Sequence, residues 1–122
     1  MSEVKKIPER SELCEADKWA LEDLYPSDEA YEADLAKFKK LTAEMAGYNG
    51  KISQSATELL AYLKLVEQAA VYLNDLVNYA ERRSDEDTRV AAYQEMVSQV
   101  TRFAVEIQSA AAFETPELLA IS

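Results

Sequence analysis

The stretch from Ser55 to Ala112, SATELLAYLKLVEQAAVYLNDLVNYAERRSDEDTRVAAYQEMVSQVTRFAVEIQSAAA, decides the fold. Leu59, Leu60, Leu63, Val66, Ala70, Leu73, Leu76, Val77 and Ala80 recur at steps of three and four, the period of an amphipathic helix. No glycine or proline intervenes before Arg83, so the spacing predicts a helix over about 55–83, roughly 42 Å long at 1.5 Å per residue. Ser55-Ala-Thr-Glu58 reads as a capping box, in which the serine accepts an orphan backbone N–H and the glutamate reaches back. ERRSDEDTR then interrupts the apolar pattern. It places Arg82 and Arg83 at the end of one helix and Asp85, Glu86 and Asp87 at the start of the next, as the helix dipoles prefer. Val90, Tyr93, Met96, Val97, Val100, Phe103, Ala104, Ile107 and Ala111 mark a further helix over about 87–112. So short a connection makes the two helices antiparallel neighbours.

Working outward, Ser27 is a good N-cap and is followed by Asp28 and Glu29. Tyr31, Leu35, Phe38, Leu41 and Met45 continue at helical spacing until Gly47 and Gly50, predicting a helix over about 28–46. Residues 1–26 read as an extended arm. Within it Trp19, Leu21, Leu24 and Tyr25 form an apolar cluster ahead of Pro26. These four read as an anchor pinning the arm to the helices, in preference to a binding groove, because an arm without a core of its own needs one. At the other end Thr115 and Pro116 look like an N-cap and first helical residue, starting a helix over 115–122 that is cut short. The expectation is an all-α chain: an antiparallel helical hairpin with a preceding helix and an N-terminal arm, 27–114 forming the helical domain. The severed helix suggests a portion of a longer protein.

Composition narrows the function. With 13 basic and 23 acidic residues the formal net charge is −10. That argues against nucleic acid and against anionic membrane surfaces, both of which need clustered basic residues. No apolar run approaches the roughly 20 residues of a membrane span, and no secretory signal opens the chain. The single cysteine, Cys14, cannot form an intramolecular disulfide and suits a reducing compartment, so a cytoplasmic location is expected.

Chemistry is conspicuous by its missing parts. There is no histidine, which removes HExxH zinc sites and histidine-dependent nucleophile systems. Two glycines cannot build a P-loop or a dinucleotide fingerprint. No catalytic residue, metal ligand or cofactor is expected in this chain. The tyrosines are the remaining candidates. Tyr62, Tyr72, Tyr79 and Tyr93 could line a groove for a peptide, although such residues more often form the rim of a core with the hydroxyl reaching outward.

Five strings, in order, carry a family resemblance: IPERSE (7–12), DKWALEDLYPSDEAYEADL (17–35), YNGKISQSATELL (48–60), LVNYAERRSDEDTRVAAYQEM (76–96) and AAAFETPELLAI (110–121). Together they resemble the N-terminal region of oligoendopeptidase F, within the thimet-oligopeptidase-like zinc metallopeptidases. The resemblance implies a cytoplasmic parent enzyme that hydrolyses short peptides in a channel, with zinc held by an HExxH motif and a downstream glutamate far beyond Ser122. None of those residues is in this chain. What the resemblance assigns to it is part of the channel wall, with the remainder of the parent chain as its partner. A stand-alone helical interaction module is the alternative. Surfaces meant for other parts of an enzyme would be apolar, so self-association of the isolated segment is expected.

Overall fold

Ser27 opens the first helix as its sequence suggests: its Oγ accepts the backbone N–H of Ala30 at 3.2 Å. In the computed structural model, which describes residues 4–121, this helix, α1, runs Asp28–Ala46. It is followed by α2 (Ala56–Glu86), α3 (Ala91–Ala110) and a short α4 (Glu114–Leu119). The described residues contain no strand, and the all-α fold is as expected. Residues 1–3 of the expected arm and Ser122 of the expected terminal helix lie outside the described residues.

Topology follows from two long-range bonds. Asp28, in the first turn of α1, meets Tyr79 and Arg83 near the end of α2. Glu114, just past α3, meets Tyr62 near the start of α2. Both α1 and α3 therefore run antiparallel to α2, which is the longest element and the common support. The predicted stripe of α1, Tyr31, Leu35, Phe38, Leu41 and Met45, is buried throughout. Against it lie Tyr62, Ala69, Leu76, Tyr79 and Ala80 of α2 and Val100 and Phe103 of α3, with Ile52 closing the α1–α2 loop. Each large apolar side chain so buried contributes roughly 1.5–3 kcal/mol. The small Ala69 and Ala80 let the helices approach closely.

The structure corrects the expected boundaries in places. Residues 84–86 remain helical, so α2 outlasts the expected end at 83, and α3 starts at Ala91 and not at 87. Polarity alone does not break a helix. Arg82 and Arg83 pair with Asp85 and Glu86 three residues on, and these pairs carry the last turn. Asp85 and Glu86 therefore sit at the negative end of α2, where the dipole disfavours them, and the arginines offset that cost. Asp87 is the C-cap, and its carboxylate accepts the Arg89 backbone N–H at 3.0 Å and Nε at 2.9 Å. These bonds hold its pKa at about 2. Of the expected capping box, Ser55 Oγ does accept the Glu58 N–H at 3.1 Å, while no return bond from the Glu58 side chain is present among the described residues.

The arm is likewise not simply extended. Single 3₁₀ turns at Arg10–Glu12, Glu15–Asp17 and Leu21–Asp23 punctuate it. At the far end α4 begins at Glu114 with Phe113 before it, so Thr115 is not the N-cap and Pro116 is the third helical residue. The first turn has no use for a proline N–H, which makes that position tolerable. A six-residue helix would not persist alone. Contacts hold it: Leu118 packs on the core, and Glu117 grips the α1–α2 loop.

Candidate functional site

The sequence singled out tyrosines, and the structure sorts them to opposite ends. Tyr62 and Tyr79 are both buried on α2 but lie 17 residues apart, about 26 Å at helical rise. They do not meet in one groove. Both are fully buried, each with its hydroxyl spent on a carboxylate. Tyr72 is half-buried against the core, and Tyr93 is half-buried beneath the guanidinium of Arg83, 5.1 Å from its ring centre. The four therefore form core and rim, with no shared peptide groove.

At the arm end, Tyr25, Tyr31 and Tyr79 pack as a trio. Tyr31 and Tyr79 stack with ring centres 5.2 Å apart, and Tyr25 meets both edge-on. Tyr25 donates to Asp34 at 3.1 Å, and Tyr79 donates to Asp28 at 2.7 Å. Arg83 Nη2 reaches the same Asp28 oxygen at 3.1 Å. The phenol of Tyr79, helped by Arg83 and opposed by burial, keeps the Asp28 carboxyl below its usual range. The tyrosines shift the other way. Burial first, then neighbouring carboxylates, raises Tyr25, Tyr62 and Tyr79, and Tyr31 is pushed up to about 12. Such phenols remain protonated donors and offer no general base.

The anchor residues divide. Leu21 and Tyr25 are buried, as an anchor requires, whereas Leu24 is 39% and Trp19 58% exposed. Trp19 does not enter the core; its ring lies against the Arg82 guanidinium, 4.9 Å from the ring centre. The arm is fastened instead by charges: Arg10 pairs with Glu86 at 2.8 Å, and Arg89 grips Glu9. Beneath it a cleft of about 240 Å³ is lined by Pro8, Arg10, Leu13, Trp19, Arg82 and Glu86 among others. The sequence reading placed the charges of ERRSDEDTR at helix ends and missed that they fasten the arm. Nothing local marks Glu9 and Arg10 as their partners.

At the loop end, Tyr62 packs between Tyr48 and Phe113 and donates to Glu114 at 2.7 Å. Glu117 accepts the Gly50 N–H at 3.0 Å and the Ser53 hydroxyl at 2.9 Å. Gly50 has φ of +83°, a backbone state that only glycine adopts without strain, and this aims its N–H at the carboxylate. Desolvation acts to raise the Glu117 pKa, but these bonds outweigh it and leave it lowered.

Among the described residues, no group of three potential ligands is placed to hold a metal ion, and Cys14 is exposed and free. No helix among them is long and apolar enough to cross a membrane.

Comparison with known proteins supplies what geometry does not. No protein-family model and no solved structure matches the chain. Among curated proteins, oligopeptidase PepF of Bacillus subtilis (strain 168) is 36% identical over 124 aligned residues, covering 99% of this chain. An oligoendopeptidase F homolog of Lactococcus lactis subsp. lactis (strain IL1403) is 33% identical over 93% of it. Group B oligopeptidase PepB of Streptococcus agalactiae serotype III (strain NEM316) is 27% identical over the same share. The chain spans only 18% of the first and 19% of the others. Along nearly its whole length, then, this chain is a homologue of one part of the oligoendopeptidase F oligopeptidases.

Proposed function

We propose that the chain is a non-catalytic, N-terminal segment of a cytoplasmic, zinc-dependent oligopeptidase, and that its helices form part of the wall around the peptide channel. The observation that carries this reading is the similarity over 93–99% of the chain to about a fifth of each named oligopeptidase. Supporting it, the sequence has no histidine, and every buried tyrosine hydroxyl with a partner is committed to a structural carboxylate. A wall needs rigidity more than chemistry. The three-helix core with both ends tied by side-chain bonds provides it. In this reading the zinc, the activated water and the peptide contacts that cleave belong to other parts of the parent chain, and short peptides are the parent's substrate.

The test is to read the gene past the codon for Ser122. An HExxH motif within the next few hundred codons is expected, and its absence overturns the proposal. The purified chain is expected to cleave no peptide, and stoichiometric zinc in it by elemental analysis would contradict the assignment of the metal elsewhere.

A further inference from the structure

Charge is unevenly distributed over the helices. On α2, Leu60, Leu63, Glu67, Ala70, Val71 and Asn74 fall within one arc of about 100° at the helical period, opposite the buried stripe of Tyr62, Ala69 and Leu76. On α3, Gln94, Ser98, Thr101, Val105 and Gln108 form the matching strip, turned away from the buried Val100 and Phe103. Every residue of both strips is exposed, and Glu67 is the only charge in them, in a chain of which 30% is charged. The two strips are neighbours. Gln94 Nε2 donates to Ser84 Oγ at 2.8 Å across the α2–α3 seam. The opposite flanks of these helices meet α1, through Tyr79 and Arg83 on Asp28 and through Phe103 beneath Lys39. The strips therefore make one face, turned away from α1. Among the described residues of α1, α2 and α3, the exposed large apolar side chains are Leu60, Leu63, Val71 and Val105, and all four lie on it.

We propose that this α2–α3 face is the docking surface for another segment of the parent chain, one that is apolar and hydrogen-bonding and sets a basic group against Glu67. The inference rests on the proposed function only in taking the chain as part of a longer protein. The relatives supply the occupant: the match covers 93–99% of this chain but 18–19% of theirs, so homologous chains carry much more polypeptide to place against it. Size agrees as well. From Leu60 to Asn78 the face runs about 27 Å along two helices about 9 Å apart, roughly 500 Å² on this side and about 1,000 Å² with its partner, which is the range of interfaces between domains of one chain. Such interfaces mix apolar contacts with polar ones, as Leu60, Leu63 and Val105 are mixed here with Asn74, Thr101 and Gln94. Charges are kept out because a charge buried without a partner is costly. The outer side of α1 shows the contrast, with Lys40 and Glu44 exposed as solvent-facing residues are. A second copy of the chain is the poorer occupant, since two molecules of net charge −10 repel each other.

The test is thiol labelling of Val71→Cys, Val105→Cys and, as the solvent-facing control, Lys40→Cys, read peptide by peptide by mass spectrometry. In the 122-residue chain at low concentration the three are expected to label at similar rates, since all three positions are exposed. In the full-length product of the gene, Val71→Cys and Val105→Cys should label at least about tenfold more slowly than Lys40→Cys, as groups do that react only on local opening. Hydroxyl-radical footprinting of Leu60, Leu63 and Val71 in the unsubstituted protein reads the same face in case a substitution itself opens the interface, and protection there is expected too. Face positions that label and oxidise as fast as the control in a full-length product that cleaves peptides would overturn the docking and leave the peptidase reading standing. Protection in a full-length product that cleaves no peptide would support the docking and count against that reading. Protection that fades on dilution would identify a second copy as the occupant and overturn the proposal, as would a gene that stops at Ser122.

Discussion

The phenol of Tyr79 donates a 2.7 Å hydrogen bond to the carboxylate of Asp28, fastening the last third of α2 to the first turn of α1 across 51 residues of chain. Arg83, one turn further along α2, shares the same oxygen. A bond to a charged acceptor contributes more than a neutral one, and half-exposure of the carboxylate tempers it. Tyr79→Phe is expected to cost about 1 to 2 kcal/mol in urea unfolding. A double-mutant cycle with Asp28→Asn should show coupling of at least about 0.5 kcal/mol. Strict additivity would mean that the pair contributes nothing beyond packing.

Alkali should unfold the chain in a way the tyrosines report. Their ordinary value is 10.0, and in the folded state all four buried phenols are raised, Tyr31 to about 12. Above pH 10 the unfolded chain loses protons that the folded chain keeps. Stability is therefore full below pH 10 and falls as pH rises through the folded values. Tyrosinate absorbance and helical circular dichroism should change together above that pH. Titration of the four buried tyrosines near 10 with helicity intact would refute the burial argument. Asp28 has the opposite sign: its lowered pKa contributes stability above the ordinary 3.8, which is lost as the pH drops below that value.

Tyr31→Phe removes a buried hydroxyl that has no hydrogen-bond partner among the described residues. It should leave the melting temperature unchanged or raise it, by up to roughly 1 to 3 kcal/mol of stability. The neighbouring Tyr79→Phe should do the reverse, because that hydroxyl has a partner. A clear loss of stability in Tyr31→Phe would show that its hydroxyl is bonded in solution.

Glu117→Ala should release α4 and the α1–α2 loop while sparing the bundle. Amide exchange is expected to accelerate at Gly50, at Ser53 and through residues 114–119, whose docking depends on that carboxylate. The middle of α2 should keep its protection. Uniform acceleration along the chain would mean that α4 is part of the global folding unit.

The charged fastening of the arm predicts a response to salt. Arg10–Glu86 and Arg89–Glu9 hold residues 9 and 10, and Trp19 rests on Arg82. Leu21 and Tyr25 hold the following residues by burial. Raising the salt concentration should speed amide exchange in residues 9–19 more than in 21–25, since screening weakens exposed charge pairs and not apolar packing. Equal effects on both halves would place the anchor elsewhere.

The helical layout was open to sequence reading because its signals are local. The stripe Tyr31–Leu35–Phe38–Leu41–Met45 follows the helix period, and the caps at Ser27 and Ser55 need only their own next three residues. The boundary at Glu86 was misread because the charges in ERRSDEDTR suit two helix ends and one continuous helix equally well. Trp19 was misplaced because its size suggests burial, and nothing near it in sequence shows that Arg82 would cover its face.

The sequence by itself determined that the chain is helical, that its second and third long helices run antiparallel, and that it contains no histidine. Periodicity, caps and composition act over a few residues and can be read there. Only the tertiary structure decided which charges meet and where each tyrosine points its hydroxyl. Glu9 finds Arg89, Asp28 finds Tyr79, and Glu114 finds Tyr62 across 50 residues or more. Those pairings depend on the packing of whole helices, which rotates each side chain to its partner, and so no stretch of the sequence contains them.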